Sequence, residues 1–306
     1  MDRRNFLAMG GLAAVCAGGS AAVPTPTAHE LLLRRIPSSG ESIPAVGLGT
    51  SGPFEVGPEE SARAPLRQVL DAFFDAGGRL IDTSPMYSTA EGVLGALLKP
   101  EQQSRVFLAT KVWTPGSGGA AAQKGMEQMQ RSAALLKHRR IELMQVHNLV
   151  NLDEHLKTLR RWKGEGRIKY IGVTHYTTSS YPDLISIIQR ENLDFVQFNY
   201  SVATREAEKR LLPLCAERGV AVLVNRAFED GNLFTAVKDK PAPAFAAEFG
   251  AKTWAQVFLK FVLAHPAVTC VIPATGKLRN LQDNLASAHG PLPDAKQLKQ
   301  IIASIS

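Results

Sequence analysis

The sequence predicts an α/β chain folded as a (β/α)8 TIM barrel with an N-terminal β-hairpin. Three observations carry that prediction. Short runs of apolar residues suited to strands buried on both faces recur eight times, at 45–48, 79–81, 106–110, 141–146, 168–173, 195–198, 220–224 and 268–272. Helical patterns with a period near 3.6 lie between them. The starts of the runs are roughly 25 to 48 residues apart, room for a strand and a returning helix, which parallel strands require because a tight turn cannot reconnect them. Eight such units in about 240 residues match a closed barrel in number and length. A doubly wound open sheet is the competing architecture.

The elements follow in order. Residues 31–36 and 41–43 flank Ser38-Ser39-Gly40 and read as a hairpin able to plug the barrel bottom. After the first strand, Leu66, Val69, Leu70, Phe73 and Phe74 fall on one helical face, stopped by Gly77-Gly78. Trp254, Val257, Phe258, Phe261 and Val262 repeat the template before the last strand. Residues 241–249 read as a large loop over one face.

The chain has 306 residues, 45% of them hydrophobic and 21% charged, enough to bury a core without disulfide or metal staples. That composition excludes a disordered chain, and ordinary Gly and Cys counts exclude collagen-like and disulfide-scaffold proteins. No apolar run reaches the ~18 residues of a membrane helix. The net charge of +7 comes from 35 basic and 28 acidic residues. These are scattered, with Arg139-Arg140 and Arg160-Arg161 the longest basic pairs, so nucleic acid is not expected as a partner.

The front of the chain reads as an address. Arg3-Arg4 followed by Phe6-Leu7, a mildly apolar stretch over 7–17 and the small residues Ser20-Ala21-Ala22 form the three parts of a signal peptide. Twin arginines with weak hydrophobicity indicate the twin-arginine route. The expected organisation is a signal peptide over 1–22, a linker over 23–30 and the barrel over 31–306. The chain would fold in the cytoplasm, meet the twin-arginine export machinery and work in the periplasm or beyond, free of the membrane after cleavage. Val15 before Cys16 argues against lipidation. Cys215 and Cys270 sit in apolar runs, where cysteine serves as a small buried hydrophobe, so no disulfide is expected. No heptad or exposed apolar stripe specifies an oligomeric state.

In a barrel, catalytic groups belong at the C-terminal ends of strands. Asp82 follows the second strand with Tyr87 in the loop beyond, Lys111 follows the third and His147 the fourth. Each has an ordinary reading alone: a helix cap, a packing ring, a solvated boundary residue, a satisfied core histidine. Their appearance on three consecutive strand ends is what singles them out. A tyrosine hydroxyl with pKa ~10 is a poor acid or base near neutrality, a nearby cation stabilises its phenolate, and a buried lysine needs a carboxylate. Asp82 would hold Lys111, Lys111 would tune Tyr87, and His147 would orient a substrate carbonyl.

At these residues the sequence resembles the aldo-keto reductase superfamily. Leu80-Ile81-Asp82-Thr83-Ser84-Pro85-Met86-Tyr87 with Glu91 and Leu94-Gly95 is similar to its signature around the catalytic Asp and Tyr. Ala109-Thr110-Lys111-Val112-Trp113 is similar to its lysine segment, Met144-Gln145-Val146-His147-Asn148 to its histidine segment, and Gly47-Leu48-Gly49-Thr50 fits as well. The resemblance spans roughly residues 31–290. It implies a barrel that binds NADP(H) without a Rossmann domain and reduces a small-molecule carbonyl, with NADP(H) favoured over NAD(H). Carried over by position, Gln197 would bond the nicotinamide carboxamide, and Thr275, Asp283 and Asn284 would hold the adenosine phosphate end, at a helix N-terminus suited to anions. Met86 and Trp113 would line the mouth against an apolar part of the substrate.

The sequence departs from the family pattern at three places. Thr174-His175 stands where the family commonly has Ser-Asn against the carboxamide; His175 can still donate a hydrogen bond. The segment after the seventh strand is Asn225-Arg226-Ala227-Phe228 in place of a stacking aromatic, and Arg226 either pairs with pyrophosphate or forms a surface ion pair. Asn280 replaces a basic residue that often grips the 2′-phosphate, with Lys277 and Arg279 nearby, so the choice between NADPH and NADH stays open. Gly116-Ser117-Gly118-Gly119-Ala120-Ala121 fits G-x-G-x-x-A, but the acidic residue a dinucleotide fingerprint needs at the end of the next strand is missing, and the segment reads as a flexible loop. The histidines and cysteines show no metal-ligand spacing. Two functions remain: a reductase turning over carbonyls, and an exported cofactor-loaded binding or sensor protein with little turnover.

Overall fold

All eight apolar runs form parallel strands. The computed structural model describes residues 31–305; the expected signal peptide and linker lie outside the described residues. The elements are β1 (Leu33–Arg35), β2 (Ser42–Pro44), β3 (Leu48–Gly49), α1 (Glu60–Asp75), β4 (Leu80–Asp82), α2 (Ala90–Leu97), α3 (Pro100–Gln103), β5 (Phe107–Val112), α4 (Gly118–Leu136), β6 (Ile141–His147) and α5 (Leu152–Gly164). They continue with β7 (Ile168–Thr174), α6 (Tyr181–Arg190), β8 (Phe195–Asn199), α7 (Leu211–Arg218), β9 (Ala221–Asn225), α8 (Asn232–Ala236), α9 (Trp254–Ala264), β10 (Val268–Val271), α10 (Leu278–Ala286) and α11 (Ala295–Ile305). Strands β3 to β10 pair in sequence order in one eight-stranded sheet. Parallel bridges Val46 to Val271 and Gly49 to Ala274 join its first and last strands, so the sheet closes into the (β/α)8 barrel rather than remaining open. Glycine is required at that seam: a Cβ on Gly49 would lie 2.7 Å from the Ile272 carbonyl oxygen.

Strand alternation sorts the side chains into two cores. Outward residues such as Ile81, Leu108, Val146, Val173, Val196 and Val224 join the apolar layer beneath the helices. Inward residues at the barrel bottom, among them Phe107, Leu143, Tyr170, Phe195 and Leu223, form a separate cluster. Phe107 stacks on Tyr170 with centroids 5.8 Å apart, and Phe195 meets Tyr170 edge-on at 5.5 Å. Moving up the same inward rows, the residues turn polar: Lys111 on β5, Gln145 and His147 on β6, Thr174 on β7, Gln197 on β8. A greasy floor thus carries a polar upper tier at the strand C-terminal ends.

The hairpin plugs that floor. Strands β1 and β2 pair antiparallel, and Ile36 and Ile43 insert into the interior cluster. Tyr170 reaches down through its hydroxyl, which donates to Glu41 at 2.8 Å and shares a 2.7 Å bond with Ser39, while Lys169 pairs with Glu41 at 2.6 Å. Helix α1 buries the five residues of the expected stripe, and Gly77 follows it at φ +86°. Two expectations change. The Gly116–Ala121 stretch is not a loop throughout: after a turn with Gly116 at φ +104°, α4 begins at Gly118, because Ala120-Ala121-Ala122 favours helix strongly enough to carry the two preceding glycines. Residues 241–249 are not wholly irregular either, since residues 244–249 wind into a 3₁₀ helix. Cys215 and Cys270 are buried free thiols lying in the outer and inner clusters respectively, and burial pushes both upward in pKa, Cys215 to about 12. Among the described residues no helix is long and apolar enough to cross a membrane.

Candidate active site

The polar tier assembles around Asp82. Strand register sets β4 beside β5, and the fully buried Lys111 extends its ammonium to Asp82 Oδ2 at 2.6 Å and to the Thr83 carbonyl at 2.8 Å. Asp82 Oδ1 accepts from Gln197 Nε2 at 2.9 Å and from Gln145 Nε2 at 3.3 Å. Burial opposes the charge on Lys111, but Asp82 and Tyr87 outweigh it and its pKa is raised. The ammonium lies 5.0 Å from the centroid of the Tyr87 ring. Burial pushes the Tyr87 hydroxyl above the ordinary tyrosine value, and the Lys111 charge draws it partly back. Near neutrality Tyr87 therefore holds its proton and can give it to a developing alkoxide.

His147 stands edge-on to Tyr87, with ring centroids 6.1 Å apart. Its Nδ1 lies 3.1 Å from Ser84 Oγ, which already accepts from the Met86 amide at 3.1 Å. Ser84 can therefore donate its hydroxyl proton to Nδ1, an arrangement that puts the imidazole proton on Nε2. Burial first, then the charges of Lys111 and His175, push the His147 pKa down to about 3. Between the ordinary histidine value near 6.5 and 3, the unfolded chain binds a proton that the folded chain refuses, so this residue's contribution falls as pH falls through that window. Replacing His147 with Asn is expected to reduce the loss of stability between pH 7 and pH 4 by about 3 kcal/mol, read from denaturant midpoints at both pH values. An unchanged difference would contradict the assignment of a buried neutral imidazole.

A cleft of about 960 Å³ opens above this tier. Asp82, Tyr87, His147, Thr174 and Gln197 lie along its wall on the catalytic side, and Thr275, Asn280, Asp283 and Asn284 along the wall formed by α10 and the segment before it. Of the residues singled out in the sequence, the structure brings those nine and Arg226 together, with Lys111 directly beneath Asp82. Thr174 spends its hydroxyl on Gln197 Oε1 at 2.7 Å. Asp283 is tethered by Thr253 Oγ1 at 2.9 Å and Gln256 Nε2 at 2.7 Å. Arg226, at φ +52°, forks onto the Asp230 carboxylate and donates to the Tyr176 carbonyl at 3.2 Å, an ion pair that lies on the cleft wall. Three residues lie apart from the wall. His175 turns to its own loop, where Nδ1 accepts from the Tyr176 amide at 3.0 Å; Met86 is 45% exposed; Trp113 is half-buried beside α4, its amide bonded to Gln128 at 2.7 Å.

Sequence reasoning passed over several participants. Ser84, Gln145, Asn148, Tyr176 and Asn225 all belong to the site or its support. The signal for Gln145 was polarity inside an otherwise apolar run, two residues before His147; Ser84, two residues after Asp82, stands in the polar turn that leaves β4. Tyr176 and Asn225 gave none, since a loop tyrosine and a strand-end asparagine are common everywhere. The Oδ1 atoms of Asn148 and Asn225 are buried without a partner on the cleft wall. Among the described residues no cluster of three or more His, Cys, Asp or Glu side chains is placed to hold a metal ion.

A closed parallel barrel whose C-terminal mouth sets a protonated tyrosine over a buried lysine–aspartate pair, beside a neutral histidine, has the equipment of a carbonyl–alcohol oxidoreductase. The family model described as Aldo/keto reductase family matches residues 45–305, and the chain belongs to that family. It is an NAD(P)-dependent oxidoreductase of the aldo-keto reductase type. The methylglyoxal reductase YeaE of Escherichia coli (strain K12) is 27% identical over 274 residues, covering 86% of this chain and 92% of that protein. The aldo-keto reductase AKR11C1 from Bacillus halodurans, in its holo form, superposes with a TM-score of 0.72 at 22% identity, over 90% of this chain and 97% of that one. An aldo-keto reductase from Klebsiella pneumoniae, solved in complex with NADPH, gives a TM-score of 0.70 at 25% identity over 87% and 92%.

Proposed function

We propose that the protein reduces an aldehyde or ketone, or oxidises the corresponding alcohol, with NADP(H) favoured over NAD(H) and Tyr87 as general acid and base. The observation that supports this reading most directly is the buried Lys111–Asp82 pair beneath a protonated Tyr87. His147 donates from Nε2 to the carbonyl oxygen and fixes its position, and Tyr87 passes its proton to the same oxygen. Lys111 then stabilises the phenolate left behind, and Asp82 keeps Lys111 charged. When bound, the nicotinamide cofactor supplies the hydride.

The cleft fits such a dinucleotide chemically. The unpartnered Oδ1 of Asn225 is an acceptor waiting for a donor, and a carboxamide brings one. Gln197 and Thr174 would hold that carboxamide, Arg226 the pyrophosphate, and Thr275, Asp283 and Asn284 the adenosine end. Lys277 and Arg279, exposed at the start of α10, stand near Asn280 and favour the extra phosphate of NADP(H). Tyr176, Phe228 and Phe234 give the mouth an apolar wall, with Met86 and Trp113 farther out, which suits a small carbonyl compound with an apolar part. The likeness to a methylglyoxal reductase makes small dicarbonyls the first substrates to try.

Titrating the full chain by fluorescence with NADPH and with NADH tests the cofactor half of this reading. Binding at about micromolar Kd or tighter, with NADPH preferred, is the expected result. No binding of either by a folded, cofactor-free sample would overturn it. Tight retention of cofactor without reduction of any of a panel of aldehydes would favour the sensor reading instead.

A further inference from the structure

We infer that Gln145 is a positioning residue for the reaction, sharing the Asp82 carboxylate so that Asp82 does not turn fully onto Lys111 and the ammonium stays available to Tyr87. It rests on the reading of Tyr87 as the proton donor. Gln145 is fully buried, sits beside Lys111 in the register of β5 against β6, and is absent from the cleft wall, so it acts on the site from below and touches no substrate. Its Nε2 is 3.3 Å from Asp82 Oδ1. The opposite amide orientation would aim Oε1 at a carboxylate, so the donor faces Asp82. Asp82 then receives Lys111 on one oxygen and two glutamine amides on the other.

Two features mark this as a built arrangement. The Oε1 of Gln145 is buried with no partner, which is a cost to folding, and an apolar side chain of the same size would avoid it. Room for the side chain comes from β7, where Gly172 leaves Gln145 Cγ only 3.3 Å from where a Cβ would stand. A polar side chain kept in a barrel interior at that cost fits a task at Asp82. The task is electrostatic. The amide N–H offsets part of the Asp82 charge; without it, more negative potential reaches Tyr87, and a carboxylate released on one side is free to turn fully onto Lys111. Both changes disfavour the Tyr87 phenolate. The other charged or titratable groups acting on Tyr87 are Lys111 on β5, Glu55 in the loop after β3 and His147 on β6.

The test compares the full chain with Gln145→Met, which keeps the shape and removes the amide. Tyrosine labelled with 13C at Cζ is followed by NMR against pH in cofactor-free protein, the Tyr87 signal being assigned by its loss in Tyr87→Phe. The Met variant should unfold at the same denaturant concentration as the parent or higher, yet move the Tyr87 titration upward by about half a pH unit or more. The alkaline limb of kcat should move in the same direction, with KM for carbonyl changed less than about twofold. A merely structural role would lower stability and leave the titration in place. An unmoved or lowered Tyr87 titration overturns the inference. If the Met variant does not fold, Gln145→Glu carries the same measurement: a second carboxylate beside Asp82 should move Tyr87 upward, and an unmoved signal there overturns it as well. Because the titration needs neither cofactor nor turnover, it decides the role of Gln145 even if the chain reduces no carbonyl, a result that would instead overturn the proposed function.

Discussion

Replacing Tyr87 with Phe should lower kcat for carbonyl reduction by about 100- to 10,000-fold while leaving cofactor affinity within about twofold of the parent. The ring packs against the apolar layer and meets His147 edge-on, so Phe keeps the packing and removes only the hydroxyl. That hydroxyl is the one group in the cleft that is both protonated near neutrality and backed by a buried cation able to stabilise the anion it leaves. His147, with its pKa pushed down to about 3, has one proton on Nε2 to donate as a hydrogen bond and little capacity to relay more. Activity retained within tenfold in Tyr87→Phe would remove Tyr87 from the chemistry and shift attention to His147.

The largest loss of stability is expected from Lys111→Met. The change leaves Asp82 buried, with two amide donors and no cation. Breaking a buried ion pair from one side costs about 3 to 5 kcal/mol, because the remaining charge has no counterion. Removing both charges, in Lys111→Met with Asp82→Asn, should recover most of that stability, since a neutral pair needs no compensation, and should recover no activity. The pair also sets an alkaline limit. The folded pKa of Lys111 lies above its ordinary value of 10.5, so its contribution is complete below 10.5 and is lost as pH rises through the folded value. The parent should therefore lose stability at strongly alkaline pH more steeply than the double variant, measured by denaturant unfolding. If the double variant is as unstable as Lys111→Met alone, the pair is not the source of the effect.

Much of this site was legible along the chain. Asp82, Lys111 and His147 each interrupt or end an apolar run, and a barrel has one place for such residues. The inward and outward rows follow from an alternation of period two, so eight runs at the right spacing specified both the barrel and its polar mouth. The hairpin plug was legible from Ser38-Ser39-Gly40 between short apolar pairs. The start of α4 was less so, because glycines at 116, 118 and 119 resemble a loop until the alanines behind them are weighed.

What the chain order concealed is how side chains far apart in sequence divide their hydrogen bonds. Gln145 and Gln197 lie 63 and 115 residues from Asp82, yet both donate to the same oxygen, because the register of β4 to β8 brings their inward positions to one level. Arg226 lies on the cleft wall, where the turn after β9 places Asp230 four residues on as its ion-pair partner. His175 spends Nδ1 on its own loop, and Met86 points outward, for reasons that lie in loop geometry rather than residue type. Periodicity is a property of neighbours in sequence, so it specifies the strands and their faces. The charge, tautomer and orientation of each catalytic group depend on which partners closure of the barrel brings within 3.5 Å, and that is a property of the folded molecule alone.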